Sequence, residues 1–158
     1  TLDDRSARTE VSFFAKSFAA NQEVLAVDEI LIIKGRAAYD DFSGGMKISA
    51  DYAFPLSQAG ALFGEAVQIT VNDNADMQAM IKLMQIHGVK NAGADVYIQV
   101  QGDGVEGKIR LGKSQQLLVD GDCYQALLET FGKAKVSMRY NLNKWQPPVT
   151  EENLTAGQ

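Results

Sequence analysis

The segment Tyr39–Ile48, Y-D-D-F-S-G-G-M-K-I, places two carboxylates, an aromatic ring and two glycines in one short connection. Two carboxylates could begin a metal site, but Asp40 and Asp41 are adjacent, point to different sides of a strand end and lack a third oxygen ligand. The glycines lack the G-x-x-x-x-G-K-S/T spacing of a phosphate-binding loop and precede a strand instead of a helix. Because Asp and Gly are common turn residues, the segment predicts a β-hairpin.

Other candidate chemical groups are isolated. Cys123 is the single cysteine and follows Asp120-Gly121-Asp122, so we predict a structural thiol in the first turn of a helix. His87 is the single histidine and precedes Gly88 at the end of a helical pattern. With no second His or Cys nearby, zinc chemistry is not expected, and the sequence predicts no metal, no cofactor and no catalytic residue in this chain.

The first part of the chain reads strand, strand, helix, strand, strand. Strands are predicted at the N-terminus, near residues 8–14, 30–39 and 46–54, with a short helix after Phe14. The pattern breaks at P-L-S-Q-A-G, residues 55–60.

The second part predicts the order β-α-β-β-α-β, which is that of a ferredoxin-like split unit. N-D-N-A-D supplies the N-cap of a helix with Met77, Met80, Ile81 and Met84 on one face, and a hairpin precedes a second helix that Gly132 closes. The methionines are interpreted as a core face, with a groove for a partner helix as the alternative. The predicted domains are residues 1–58, 59–141 and a mobile tail at 142–158. Trp145 in this tail packs on its own domain, anchors a partner or is simply exposed.

Composition limits the function. The 158 residues are 46% hydrophobic, which suffices for a core, and the net charge of −5 argues against a strongly basic nucleic-acid binder. No apolar run is long enough to span a bilayer, so we expect a soluble, cytoplasmic chain without membrane contact.

A local basic surface is nevertheless predicted. In a five-stranded Greek-key barrel, the open face and the loops between strands 1 and 2 and strands 4 and 5 bind oligonucleotides. Cations that track the backbone and aromatic rings that stack on bases hold single strands there. The candidates for nucleic-acid binding are Arg5, Arg8, Lys34, Arg36, Phe42 and Lys47.

Three stretches resemble a known family. T-L-D-D-R-S at residues 1–6, E-V at 10–11 and D-D-F-S-G-G at 40–45 resemble the C-terminal OB domain of the bacterial DNA polymerase III alpha subunit. Beyond about residue 60, only the element order resembles the clamp-loader-binding domain that follows in that family. Ala7 stands where that family usually has glycine, so the turn type there is expected to differ.

The resemblance implies an α+β fold: an incomplete OB-type β-barrel followed by a β-α-β-β-α-β domain. It implies a non-catalytic piece of a nucleotidyltransferase that binds single-stranded DNA through the OB surface and the tau subunit of the clamp loader through the second domain. The barrel would lack its first strand, which predicts either a dimer through the exposed edge or a displaced first sheet.

Two other classes of function stay open. One is an RNA-binding OB module of the anticodon-binding type, although the D-D-F-S-G-G loop argues against it. The other is a protein-interaction domain whose OB surface no longer binds nucleic acid, which the acidic net charge favours.

Overall fold

The chain divides into two compact units, Thr1–Leu56 and Ser57–Gln158. The computed structural model describes residues 1–3, 5–41, 44–102 and 104–147. The domain boundaries expected from the sequence remain a prediction.

The first unit is a four-stranded sheet with one short helix. Its elements are β1 (Leu2–Asp3), β2 (Arg8–Phe13), α1 (Ala15–Asn21), β3 (Leu31–Asp40) and β4 (Gly45–Pro55). The strand order is β1-β2-β4-β3, with β2 and β4 parallel and the other pairs antiparallel. The sheet is not closed into a barrel, which agrees with the predicted incomplete OB-type architecture.

Alternation along β2 explains the two faces of this sheet. Arg8, Glu10 and Ser12 are exposed, whereas Thr9, Val11 and Phe13 are half-buried. Successive side chains of a strand point to opposite faces, so one face of the sheet is polar and the other is apolar.

The second unit contains the remaining helices and strands. They are a 3-10 turn (Leu56–Gln58), α2 (Ala59–Phe63), β5 (Gly64–Val71), α3 (Asn74–His87), β6 (Gly88–Val89), β7 (Asp95–Gly102), β8 (Val105–Arg110), β9 (Gln116–Leu117), α4 (Gly121–Phe131), a 3-10 turn (Lys133–Lys135), β10 (Val136–Tyr140) and a 3-10 turn (Leu142–Lys144). The predicted helix starts are confirmed, because the Asp73 and Asp120 side chains accept the backbone N–H groups of Asp76 and Cys123. Helix α2 was not predicted, since P-L-S-Q-A-G reads as a break.

One face of the second sheet forms the core of the unit. Val67, Ile69, Val96 and Ile98 are buried there, and they pack against buried side chains of both helices, namely Met80, Leu83, Cys123, Leu127 and Phe131. Burial of each large aliphatic side chain contributes roughly 1.5–3 kcal/mol. The methionine stripe is therefore partly core, as predicted, with Met77 and Met84 packed at its margin.

The predicted α+β class and the order β-α-β-β-α-β are confirmed, but the split arrangement implied by the term ferredoxin-like is wrong. The strand order is β10-β5-β7-β8, and β5 and β7 are hydrogen-bonded parallel neighbours with no strand between them. The physical reason is burial. β8 is almost entirely exposed and suits an edge, whereas β5 is the most buried of the four strands of this sheet and suits the centre.

The chain around residue 142, the expected start of the tail, is tied to the second unit. Asn141 donates its backbone N–H to the Phe63 carbonyl, and Lys144 Nζ donates to the Gly64 and Gly93 carbonyls at 2.6 and 3.1 Å. Trp145 follows and is half-buried. Residues 148–158, the rest of the expected tail, lie outside the described residues.

Candidate nucleic-acid interface

The strand register of the first unit places four of the predicted DNA-binding cations on one face. Lys47 lies opposite Glu10 on β2 and opposite Ala38 on β3, while Arg36 lies opposite Ser49. Residues that are paired across neighbouring strands project to the same face of a sheet. We call this the polar face, and its charged members are Asp3, Arg8, Glu10, Lys34, Arg36, Asp40 and Lys47.

Two of these cations are held by carboxylates. Arg8 Nε lies 2.8 Å from Asp3 Oδ2, and Lys47 Nζ lies 2.5 Å from Asp40 Oδ2. The hydrogen bond and charge of Asp40, with a smaller contribution from Glu10, raise the pKa of Lys47. Exposed ion pairs in water are weak, so a phosphate can compete for both cations. The carboxylates nevertheless lower the net positive charge of the face.

Gly35 separates the two cations of β3. A Cβ at this position would lie 2.3 Å from the Ser49 carbonyl oxygen, so only glycine fits without displacing β4. The pairing register shifts at the same point, between Lys34 and Gly35, where β4 has one more residue than β3. The backbone conformation at Gly35 therefore determines the positions of the Lys34 and Arg36 side chains relative to each other and to β4.

The loop Y-D-D-F-S-G-G is a hairpin connection, as predicted. Asp40 pairs with Gly45, the Gly44 N–H donates to the Asp40 carbonyl at 2.8 Å, and Gly44 has a φ of 69°. That left-handed conformation favours glycine. Asp40 is occupied by Lys47 and Asp41 is exposed. Phe42, the predicted stacking residue, lies outside the described residues.

Arg5 lies in the turn between β1 and β2 and not on a strand. Its φ is 70°, and its N–H donates to Asp3 Oδ1 at 2.8 Å. Ala7 in place of glycine predicts an altered turn in this connection. Among the residues of the connection that the structure describes, Arg5 has a positive φ. The structure thus brings Arg8, Lys34, Arg36 and Lys47 together on strands and places Arg5 at the β1–β2 connection.

Cys123 is a structural thiol. It is fully buried at the start of α4, and burial raises the pKa of its thiol to about 12, with a smaller contribution from Asp120. The group is therefore a protonated thiol at neutral pH, which suits a core position and not a nucleophile.

A second charged surface escaped the sequence reasoning. On the second unit, Lys108, Arg110 and Arg139 surround the ring of Tyr97. The alternation of residues along the two strands could have indicated this surface. Tyr97 and Gln99 share one face of β7, and Lys108 and Arg110 share one face of β8. The sequence reasoning assigned this segment only to a hairpin and did not compare the two faces.

The described part of the chain has no grouped metal ligands and no helix that could span a membrane. Among residues 1–3, 5–41, 44–102 and 104–147, no three His, Cys, Asp or Glu side chains are grouped closely enough to hold a metal ion. None of the helices within these ranges has the length and apolar character needed to cross a membrane.

Comparison with known proteins identifies relatives across both units. No family model matches the chain. The DNA polymerase III alpha subunit of Pseudomonas aeruginosa is 29% identical over 143 residues, and those of Escherichia coli and Vibrio cholerae are each 28% identical over 143 residues. The chain is similar to part of the DNA polymerase III alpha subunit.

The similarity covers most of this chain but only a small part of each relative. It covers 89% of the chain but only 12% of the length of these polymerase subunits. A match of this length reaches well beyond Leu56 and so includes both units. The resemblance in the first sixty residues is confirmed and extends into the second unit.

Proposed function

We propose that this chain is a non-catalytic piece of a replicative DNA polymerase III alpha subunit and that it binds single-stranded DNA through the polar face of its first unit. The observation that carries the proposal is the strand register that collects Arg8, Lys34, Arg36 and Lys47 on one side of an open OB-type sheet. Cations that follow a groove or sheet track a phosphate backbone. A cytoplasmic role in replication belongs to the same proposal.

The test is loss of binding when the β3 cations are neutralised. Replacing Lys34 and Arg36 together by Gln removes two positive charges from the polar face. The binding free energy for a labelled single-stranded oligonucleotide should therefore weaken by roughly 1–3 kcal/mol at low salt, because charged contacts to phosphate and the accompanying counterion release are lost. Fluorescence anisotropy measures this change. Lys82→Gln is the matched control, because Lys82 is an exposed cation on α3. Equal binding by the parent chain and the double variant would contradict the proposal.

The same measurement separates DNA binding from the RNA-binding alternative. An oligoribonucleotide of the same sequence should bind no more tightly than the DNA if the site recognises phosphates and bases alone. Tighter binding of RNA that depends on the 2′-OH would favour an RNA-binding OB module.

We further propose that the second unit binds the tau subunit of the clamp loader. A specific observation favours a protein partner here: a groove of about 510 Å³ beside α3 is lined by Met77, Ile81, Met84, Val89 and Leu111, among others. Ile81 is exposed within it. Methionine-lined apolar grooves suit a partner helix or strand. Trp145 stays a predicted anchor for this partner.

Calorimetric titration with purified tau tests the second proposal. Ile81→Glu places a charge in the groove and should weaken binding at least tenfold, since a buried unpaired carboxylate is costly. Val105→Glu is the control, because Val105 is exposed on β8 and does not line the groove. Equal loss in both variants, or in neither, would argue against the groove.

A further inference from the structure

The sheet of the second unit has a polar face opposite its core. Alternate residues of β5 and β7 are buried against α3 and α4, so the residues between them project to the other side. Pairing aligns Ser137, Gln68, Tyr97 and Arg110 in one row across all four strands. Tyr97 is half-buried in the middle of that row, and Ser137 and Arg110 are exposed on the edge strands.

Three cations converge on the Tyr97 ring. Lys108 Nζ lies 4.8 Å from the ring centroid, and the Cζ atoms of Arg110 and Arg139 each lie 6.0 Å from it. These distances are within the range of cation–π interactions. Lys108 and Arg110 come from β8 and Arg139 comes from β10, so both edge strands supply charge to one central aromatic ring. We call Tyr97, Lys108, Arg110 and Arg139 the Tyr97 cluster.

A shallow groove continues from the cluster. It encloses about 460 Å³, and its charged lining consists of the cations Arg110, Lys113, Arg139 and Lys144 and the carboxylates Glu65 and Asp95. The lining therefore has an excess of two positive charges, from four cations minus two carboxylates. This excess occurs in a chain whose net charge is −5. The groove thus favours an anionic ligand that the rest of the chain repels.

The carboxylates position the cations without neutralising them all. Asp95 Oδ2 lies 2.7 Å from Arg110 and its Oδ1 lies 2.9 Å from Lys113, while Glu65 lies 2.7 Å from Arg139. The three cations keep more than half of their side-chain surface exposed. Their remaining N–H groups can therefore donate to phosphate oxygens while the ion pairs persist.

We propose that the Tyr97 cluster is a second binding surface for single-stranded nucleic acid, with a base stacked on Tyr97 and flanking phosphates held by Lys108, Arg110 and Arg139. A four-stranded sheet with helices on one face and aromatic and basic side chains on the other is a proven geometry for single strands. Two amide side chains lie on the same face: Gln68 Oε1 accepts a hydrogen bond from Lys108 Nζ at 2.6 Å, and Gln99 Nε2 donates to Glu106 Oε1 at 3.5 Å. Each amide group has further donor or acceptor capacity that can bond a base edge. An acidic peptide would use the cations but would leave the ring without a stacking partner. The proposal goes beyond the polar face of the first unit and does not depend on it.

Variants of the full chain test the surface by anisotropy with labelled oligothymidylate. Tyr97→Leu should lower affinity roughly 5- to 100-fold, because stacking on an aromatic ring is lost, whereas Tyr97→Phe should retain affinity within about twofold. Arg139→Gln should lower affinity and reduce the slope of log affinity against log salt by about 0.7. Lys82→Gln should leave both quantities near those of the parent chain. Thermal unfolding followed by circular dichroism verifies that each variant is folded, and Arg139→Gln at the exposed edge tests the surface even if Tyr97→Leu does not fold.

An NMR titration with the same oligonucleotide separates this inference from the proposed function. Amide shifts in β7, β8 and β10 support the Tyr97 cluster, whatever happens in the first unit. Shifts confined to β1–β4, with unchanged affinity of the Tyr97 and Arg139 variants, overturn the inference and leave the proposed function standing. Equal shifts in β7, β8 and β10 on adding poly-glutamate at matched charge would assign the face to an acidic protein partner instead. An absence of shifts in both units overturns both.

Discussion

At the scale of single residues, charge on both candidate surfaces is controlled by nearby carboxylates. On the polar face, Asp40 and Asp3 hold Lys47 and Arg8, and in the second unit Asp95 holds Arg110 and Lys113. That the cations of the first unit bind nucleic acid stays a prediction. The sequence did not show which carboxylate pairs with which cation, because an ion pair between Asp40 and Lys47 depends on the hairpin register. The acidic residues near these cations are therefore part of each site.

Asp95 should make the stability of the second unit depend on pH. Hydrogen bonds from Lys113, Gln116 and Arg110 outweigh burial and lower its pKa to about 2, below the value of about 3.9 in an unfolded chain. Its contribution, roughly 1–2 kcal/mol, is therefore present above pH 4 and is lost as the pH falls towards 2.

Chemical denaturation of Asp95→Asn tests this. At pH 7 the variant should unfold with a free energy lower by roughly 1–2 kcal/mol, and the difference from the parent should shrink towards pH 2. Glu106→Gln, an exposed carboxylate on the same sheet, should show little difference at either pH. A deficit in Asp95→Asn that is the same at both pH values would mean that the ion pairs are not its cause.

At the scale of elements, most helices and strands followed from periodicity, whereas their pairing did not. The sequence predicted the helix N-caps at Asp73 and Asp120 and the alternation of exposed and half-buried residues along β2. The sequence did not predict that β5 and β7 are neighbours. The order of elements along the chain is the same whether or not another strand lies between the two parallel strands of a β-α-β unit. The charged residues of β8 could have indicated that this strand lies at an edge, because a strand with polar residues on both faces is unsuited to the centre of a sheet.

Asn21 links α1 to the irregular part of β4. Its side chain donates to the Ser17 and Asp51 carbonyls at 2.7 and 3.1 Å and accepts the Ala53 N–H at 2.8 Å, and the residue is only 6% exposed. Asn21→Ala should destabilise the first unit by roughly 2–4 kcal/mol, because it leaves the Ala53 N–H buried without a partner. Thermal or urea unfolding measures the loss.

Gln22→Ala is the control for this prediction. Gln22 follows Asn21 at the end of α1 but is exposed, so its replacement should change stability by less than about 0.5 kcal/mol. Similar stability of Asn21→Ala and the control would show that the linkage is not needed for folding.

At the scale of the whole molecule, the net charge of the chain does not predict the charge of its individual surfaces. A net charge of −5 argues against nucleic-acid binding, yet each unit gathers cations on one sheet face. The sequence predicts the first surface from the pattern of a five-stranded barrel, and its binding of nucleic acid stays a prediction. The second surface was not predicted, because the cations of the Tyr97 cluster are brought together by pairing of β8 with β7, of β7 with β5 and of β5 with β10. Tertiary pairing, not composition, decides where charge accumulates.

The open first sheet still predicts self-association. Its strand order ends at β1 and β3, and an unpaired strand edge invites pairing with another chain. Sedimentation equilibrium should show dimers that increase with concentration. Ala37→Lys places a charge on the apolar side of β3 and should reduce dimerisation, while Ala38→Lys on the polar face should not. A monomer at all concentrations would contradict the prediction.

The most direct test of the central claim is the salt dependence of single-stranded DNA binding by the first unit's polar face. Anisotropy of a labelled oligonucleotide is measured between about 50 and 200 mM salt, with the parent chain and the Lys34→Gln, Arg36→Gln double variant. We expect log affinity to fall linearly with log salt, and the slope of the double variant to be smaller by about 1.4, from about 0.7 for each lost phosphate contact. A flat slope in both proteins would contradict the proposal and favour a domain that binds only proteins. A slope that is steep but identical in the two proteins would also contradict it, and would move DNA binding to a different surface of the chain.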